Sequence, residues 1–420
     1  RSVDMSAPAL ESLASAHQKS SREKRFVSVL LLLPLLIYTA VFFVLPIGMM
    51  LYRAVSNPEL VQAFPRTVQA LEQRSDDTLG VPDDGVFEAI EQDFIHVKNM
   101  GVMGEAARRM NYENSGYRFL ITATARRYQW PANQQPVSGE SPRARLTAID
   151  PRWSTPELWE AFERASPAYT SYYLLSALDL ERTAHGIQRV EPDKRVYLDL
   201  TFKTLKIAFI VSVLCLLLGF PFAVLLVKAS RPFQMLLILA VMLPFWTSLL
   251  ARTTAWIVVL QEKGIVNTLL LKLGLIEHPL PLIFDALGVY IVMVHILLPF
   301  TVLPLYSVMK GIPAHYMRAS GSLGAHPVRG FLHVYLPMTL TGIGSGTLLT
   351  FIVAAGYYVT PTLVGSAREQ MLGYFIAFYT NTTVNWGMAS ALGLVLILCV
   401  MAIYLVAARL VGIRQIAGLK

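Results

Sequence analysis

Apolar residues in this chain of 420 come in long unbroken runs, not in the short alternations of a water-soluble fold. A bilayer crossing needs about 20 mostly apolar residues. Six stretches qualify, 26–52, 201–227, 233–260, 283–309, 338–362 and 387–410, and the pattern predicts six transmembrane helices. Between the first two lies residues 53–200, a stretch of mixed polarity and ordinary domain size. Within it, helical periodicity runs from about Val86 to Met110 and again from Thr155, with Pro156 at the first helical position, through Leu158, Trp159 and Phe162. The Pro-, Gly- and Ser-bearing stretch 129–156 reads as loop, and Arg108-Arg109 and Arg126-Arg127 read as solvated faces. The expected fold class is therefore an all-α polytopic membrane protein, with a large extracytoplasmic insert between its first and second spans.

Smaller features refine this picture. Pro34, Pro46, Pro221, Pro244, Pro299, Pro304 and Pro361 lie in or beside the runs, so bent or interrupted helices are expected. Gly342, Gly344, Ser345 and Gly346 open the fifth run, where small residues let helices approach closely. The segment Ile265–Gly274 reads as a short amphipathic helix stopped by glycine, too short to span. Lys203 and Lys206 at the start of the second run are assigned to an interfacial lead-in helix.

Charge orients the runs. The chain is 54% hydrophobic and 15% charged, with mean hydropathy +0.48 and a formal charge of +8. Residues 53–199 hold 17 Lys/Arg against 21 Asp/Glu, whereas the remainder holds 19 against 7. Lys19, Arg22, Lys24 and Arg25 precede the first run and should keep the N-terminus inside. The first run is too long for a signal peptide and lacks a small-residue cleavage site. The insert then falls outside, and the segments 228–232, 310–337 and the tail after Arg409 fall inside. Those inner segments carry Lys228, Arg231, Lys310, Arg318, Arg329, Arg414 and Lys420 and no acid. The only acids after residue 200 are Glu262, Glu277, Asp285 and Glu369, all in or beside expected outer loops. The boundaries are a cytoplasmic tail 1–25, a first span 26–52, the insert 53–200, a five-helix core 201–410 with an inner loop 310–337, and a cytoplasmic tail 411–420. Arg1-Ser2-Val3-Asp4, ahead of Met5, reads as a cloning remnant. A basic protein invites a nucleic-acid reading, but basic inner loops account for the charge without one.

The sequence lacks several chemistries. No G-x-x-x-x-G-K-[ST] loop occurs, so the chain should not hydrolyse ATP alone, and no catalytic residue is assigned. No H-E-x-x-H or Cys/His cluster offers a metal site, and His315, His326 and His333 lack ligand spacing. Cys215 and Cys399 lie in apolar runs and read as packing residues.

The inner segment Tyr316–Pro337 carries the most specific signal. Its spacing of Ala319, then Leu323-Gly324-Ala325, Pro327, and finally Leu336-Pro337 resembles the cytoplasmic EAA loop of the binding-protein-dependent ABC-importer permeases. The flanking Leu243-Pro-Phe-Trp-Thr-Ser-Leu-Leu-Ala-Arg252-Thr-Thr-Ala-Trp256, Gly264-Ile-Val-Asn267, Leu298-Pro-Phe-Thr-Val-Leu-Pro-Leu-Tyr306 and Val359-Thr-Pro-Thr-Leu-Val-Gly365 are similar to spermidine/putrescine-type permeases. The resemblance implies a bacterial inner-membrane subunit that binds no cofactor itself. Its implied partners are a second homologous permease, two cytoplasmic ATPase subunits that bind ATP and Mg, a periplasmic solute-binding protein and the lipid bilayer. It implies that a helix at 316–330 docks on the ATPase, with Arg318, Ala319, Ser320, Leu323, Gly324, Ala325, Pro327, Leu336 and Pro337 as coupling residues. Two positions depart from the motif, Arg318 for its glutamate and Ser320 for its second alanine. The insert is a third departure, with seating of the binding protein and a structural cap as its two readings.

For the solute pathway the polar and ionisable positions Trp246, Thr247, Arg252, Tyr357, Tyr358 and Thr360 are the candidates. No run after residue 200 has a mid-membrane acid, so either a partner supplies carboxylates or the solute is not a simple polycation. The competing readings are a membrane-anchored ligand sensor or scaffold, and a permease of the same family for an opine, a phosphonate or another non-polyamine solute.

Overall fold

Among the described residues, five helices are long and apolar enough to cross a membrane: Val29–Arg53, Tyr197–Lys228, Ala286–Lys310, Pro327–Gly356 and Trp386–Arg409. They are seen in a computed structural model that describes residues 29–74, 80–97, 99–129, 141–183 and 186–411. The basic cluster at 19–25, the tail 412–420 and most of the expected loop at 129–156 lie outside the described residues. The expected third span is not one straight helix. Arg231–Trp246 and Leu249–Lys272 meet at 105°, which gives a sixth crossing only if the bent pair counts as one. The break falls at Thr247-Ser248, two extended residues that follow a tight turn, Leu243–Trp246, around Pro244. Proline cannot donate to the preceding turn, and its ring crowds the carbonyl four residues back.

Two other prolines are absorbed differently. The backbone widens by one residue over Ala40–Val44, where Leu45 N–H bonds Ala40 O, and over Phe331–Tyr335, where Leu336 N–H bonds Phe331 O. Each wide turn ends just ahead of a proline, Pro46 or Pro337. Shifting the ladder by one residue relieves the clash and keeps the helix continuous. The fifth span therefore begins inside the expected inner loop, which extended to Pro337, and it ends at Gly356 instead of 362. The second span is likewise longer than expected. Its 32 residues extend for about 48 Å at 1.5 Å each, and Lys203 and Lys206 belong to its first turns, not to a separate lead-in helix.

Side-chain contacts give the helix directions. Cys215 Sγ reaches Val294 O at 3.6 Å, Gly219 faces Thr301 and Val302, and Ala223 shares a cluster with Leu305 and Met309. These contacts advance together along both chains, so the second and fourth spans run parallel. Gly342 faces Leu305 and Val308 while Gly346 faces Thr301, so the fifth span runs antiparallel to the fourth. A Cβ on Gly346 would stand 2.9 Å from Thr301 O, so this crossing requires the absence of a side chain. Buried Thr301 and Thr350 hydroxyls bond at 2.6 Å in the same contact. It follows that Lys228 and Lys310 lie at one end of the bundle and the insert at the other.

The insert is a helical domain with its own core. Phe64, Phe87, Phe94, Trp153, Trp159 and Phe162 are all fully buried there. Both indoles are satisfied, Trp153 by Thr124 Oγ1 at 3.1 Å and Trp159 by the Trp153 carbonyl at 2.9 Å. The long helix expected over 86–110 is two, Asp84–Ile95 and Met100–Glu113, and Asn99 caps the second by accepting from Gly101 N–H. The expected loop contains a helix, Pro142–Ile149. Thr155 stands ahead of Pro156–Ala165 as predicted, but its hydroxyl bonds Arg152 O and leaves the helix end uncapped.

Two findings correct the polar assignments. Arg109 is not solvated: it is 1% exposed, paired with Glu113 at 2.9 Å, bonded to Asn57 Oδ1, and set over the Tyr172 ring at 4.7 Å. The fold is also not purely helical, because Leu180–Thr183 and Gly186–Arg189 form an antiparallel hairpin. Asp179, just before it, takes a left-handed φ of 53°. Its carboxylate accepts from the backbone of Val196, Tyr197 and Leu198 and so caps the second span from 17 to 19 residues away.

Elsewhere in the insert, burial pushes the Glu91 carboxyl up, but bonds from Arg145 at 2.7 and 2.6 Å and from Tyr128 at 2.8 Å outweigh it and hold Glu91 below its ordinary range. Arg152 does the same for Asp150.

Candidate functional site: a docking helix and a cleft at the broken span

The segment between the fourth and fifth spans lies at the end of the bundle remote from the insert. It contains one helix, His315–Ser322, which stops in a turn closed by two backbone bonds. Ala325 N–H bonds Ser320 O at 3.1 Å and Gly324 N–H bonds Gly321 O at 2.9 Å, with Gly324 at φ +83°. That is the glycine-terminated helix end of the Schellman type, and a side chain at this φ is strained although the space around it is open. The Leu-Gly-Ala part of the motif thus has a local physical cause.

The helix has two faces. Met317 and Ser320 turn inward, where a Cβ on buried Gly330 would lie 3.4 Å from Met317 Cε and 3.0 Å from Ser320 Oγ. His315, Arg318, Ala319 and Ser322 face outward, followed by Leu323 at 89% exposure. The two motif departures therefore sit on opposite faces: Ser320 alters an internal contact, and Arg318 alters the surface. Ala325 is half-buried and Pro327 starts the next helical turn. Leu336 and Pro337 lie within the fifth span, past the wide turn, where Phe331 packs edge-on against Phe220 of the second span.

The second candidate is a cleft of about 340 Å³ at the break of the bent pair, lined by Leu243, Pro244, Thr247, Ala251, Arg252, Ala255, Trp256, Val259 and His295. Arg252 folds back on the break, with Nε 3.2 Å from Thr247 Oγ1 and Nη2 2.9 Å from Thr247 O. Trp256 Nε1–H donates to His295 Nδ1 at 3.1 Å. An indole only donates, so that ring nitrogen carries no proton.

Of the pathway candidates, Thr247 and Arg252 come together here, and Trp246, Tyr357, Tyr358 and Thr360 fall outside the lining. Trp246 is 77% exposed beside the break, and Tyr358 is 38% exposed. Tyr357 packs on the bundle core, and Thr360 is buried with its hydroxyl 3.4 Å from Thr253 Oγ1. Sequence reasoning placed Trp256 in the permease-like segment but not among the pathway candidates, and it missed His295. A histidine inside an apolar run was the available signal. Among the described residues, no three His, Cys, Asp or Glu side chains are grouped to hold a metal ion.

A bundle of long apolar helices, interrupted at one crossing and carrying an exposed helix between its fourth and fifth members, is that of a polytopic membrane protein. No family model matches the chain. It is 34% identical over 199 residues to the spermidine/putrescine transport permease PotB of Haemophilus influenzae, spanning 47% of this chain and 70% of that protein. It is 33% identical over 220 residues to PotB of Escherichia coli K12, spanning 52% and 80%. With the inner membrane ABC transporter permease YdcU of the same organism it shares 32% over 228 residues, spanning 51% and 72%. A permease of Salmonella choleraesuis named for 2-aminoethylphosphonate transport is 25% identical over 229 residues. Among solved structures, a bacterial ABC transporter importing alginate aligns with a TM-score of 0.39 at 17% identity over 51% of this chain and 79% of that one, which is too low to carry an argument. The chain belongs to the ABC-importer permease family, in the group that contains the spermidine/putrescine permeases. Such permeases are transport subunits and not enzymes, and ATP hydrolysis resides in a separate subunit.

Proposed function

We propose that this chain is the transmembrane permease subunit of an ATP-driven importer for a polyamine or related small amino compound. It sits in a bacterial inner membrane with both termini in the cytoplasm. It pairs with a second permease and two ATPase subunits that bind ATP and Mg, and it receives solute from a periplasmic binding protein. ATPase closure moves the His315–Ser322 helix, and the spans alternate between inward and outward access. The observation that carries this reading is that helix itself: held inward by Met317 and Ser320 and ended by Gly324, it presents an outward face at the end remote from the insert. The names of the PotB relatives support the solute class.

A second solute reading rests on the cleft. Its lining contains Arg252 and no carboxylate, which suits an anion-bearing amino compound such as an aminophosphonate better than a polycation. The experiment is reconstitution with cognate ATPase and binding protein. Binding-protein-stimulated ATP hydrolysis is expected with the correct solute, and transport that proceeds without any ATPase would sink the importer reading. A thermal-shift screen of the binding protein against polyamines, opines and phosphonates separates the solute classes.

A further inference from the structure

The docking surface has an uncommon charge balance. Residues 310–337 contain Lys310, Arg318 and Arg329, three histidines and no acid. Lys310 lies against the Tyr306 ring at 5.4 Å, so its charge is partly engaged within the chain. The Arg318 guanidinium forms no hydrogen bond or ion pair with any described residue, and it projects from the outward face beside Ala319 and Ser322. Leu323, at the end of the same helix, is 89% exposed, and Val328 in the following turn is 58% exposed. A guanidinium covered by a partner without a counter-charge loses its hydration uncompensated. A like charge opposite it costs more.

We infer that the ATPase surface receiving this helix offers an apolar pocket for Leu323 and a carboxylate opposite Arg318. This rests on the importer reading above and adds to it the sign of the charge that the partner carries. Arginine presents a planar fork that a carboxylate engages with two bonds, so one acid suffices. An ATPase with a base at that place would be rejected, which makes Arg318 a determinant of partner choice.

The test uses the full complex in lipid nanodiscs and reads stimulated ATP hydrolysis and co-purification of the ATPase. Arg318→Glu is expected to lower stimulated hydrolysis by at least about tenfold, Arg318→Gln by less, and Arg318→Lys least, following charge. Selection among ATPase variants should return rescue of Arg318→Glu by an Asp or Glu replaced with Lys or Arg. Gly324→Val serves as the control that breaks the helix end. If Gly324→Val abolishes stimulation and Arg318→Glu does not, the inference fails and the importer reading stands. If neither has an effect, the importer reading itself fails. If Arg318→Glu is harmful only in nanodiscs containing anionic lipid, or is not rescued by any acid-to-base change, Arg318 serves another ligand and the inference is overturned. Gel filtration of each variant verifies that the permease is folded.

Discussion

The insert and the helix bundle hold themselves together in different ways. The insert buries Trp153, Trp159, Phe64, Phe87, Phe94 and Phe162 in one cluster and ties its first residues to the end of helix Pro156–Ala165 through Asn57, whose side chain bonds Ala165 O at 2.6 Å and Pro167 O at 2.8 Å. The bundle joins helices at Gly219, Gly342 and Gly346, with Ala223, Ala354 and paired threonines around them. Water drives large apolar side chains together, whereas lipid gives helices no such drive and rewards close backbone approach. The contrast is the one expected of a domain in water beside a bundle in lipid. The two parts meet at Tyr173, whose ring lies directly over Gly387 at the start of the last span.

That difference can be broken on either side. Trp159→Ala should cost the insert about 3–5 kcal/mol by cavity formation, with early loss of protease resistance in the insert while the bundle keeps its helicity. Arg109→Ala should cost less, about 1–3 kcal/mol, because Asn57 Oδ1 and Glu113 Oε1 lose a buried donor while Arg164 still pairs with Glu113 Oε2 at 3.1 Å. The neighbouring Arg108→Ala removes only an exposed contact to Glu105 and should stay within about 0.5 kcal/mol in the same denaturation assay. In the bundle, Gly346→Leu should cost about 1–3 kcal/mol by overpacking against Thr301. Its signature is a lowered melting temperature in detergent with the insert intact.

Acid should act more gently, on two ion pairs of the insert. Glu91 and Asp150 are held below their ordinary values, so their pairs stabilise the fold fully above the unfolded pKa near 4. That stabilisation is lost as pH falls through the folded values. The stability gap between the wild type and Arg145→Ala should therefore shrink as pH is lowered from about 6 to about 3. A gap that widens in acid would contradict the Arg145–Glu91 assignment.

Much of the bundle was legible because crossing a membrane demands long apolar runs, and five of the six expected stretches appear as helices with ends shifted by the wide turns. The bend in the third was signalled by Pro244, but its 105° angle depends on what packs around it. The helix expected over 316–330 was legible in part: it spans His315–Ser322, and the backbone requirement of Gly324 ends it well before 330. Less could be read in the insert. Asn99 was an available cap signal within the run 86–110, whereas nothing in the adjacent pair Arg108-Arg109 says which one is buried. Asp179 capping a span across an intervening hairpin is a tertiary event. The cleft was half visible: Arg252 stood out as an intramembrane charge, and its neighbours Trp256 and His295 come from two different helices.

The central claim is that the His315–Ser322 helix couples this permease to an ATPase. Gly324→Val strains one turn by about 1–2 kcal/mol and leaves the bundle contacts untouched. Stimulated ATP hydrolysis by the reconstituted complex of this variant is the most direct test. The account predicts that binding protein and solute no longer stimulate hydrolysis, while the permease remains folded in gel filtration. Stimulation equal to that of the wild type would contradict it.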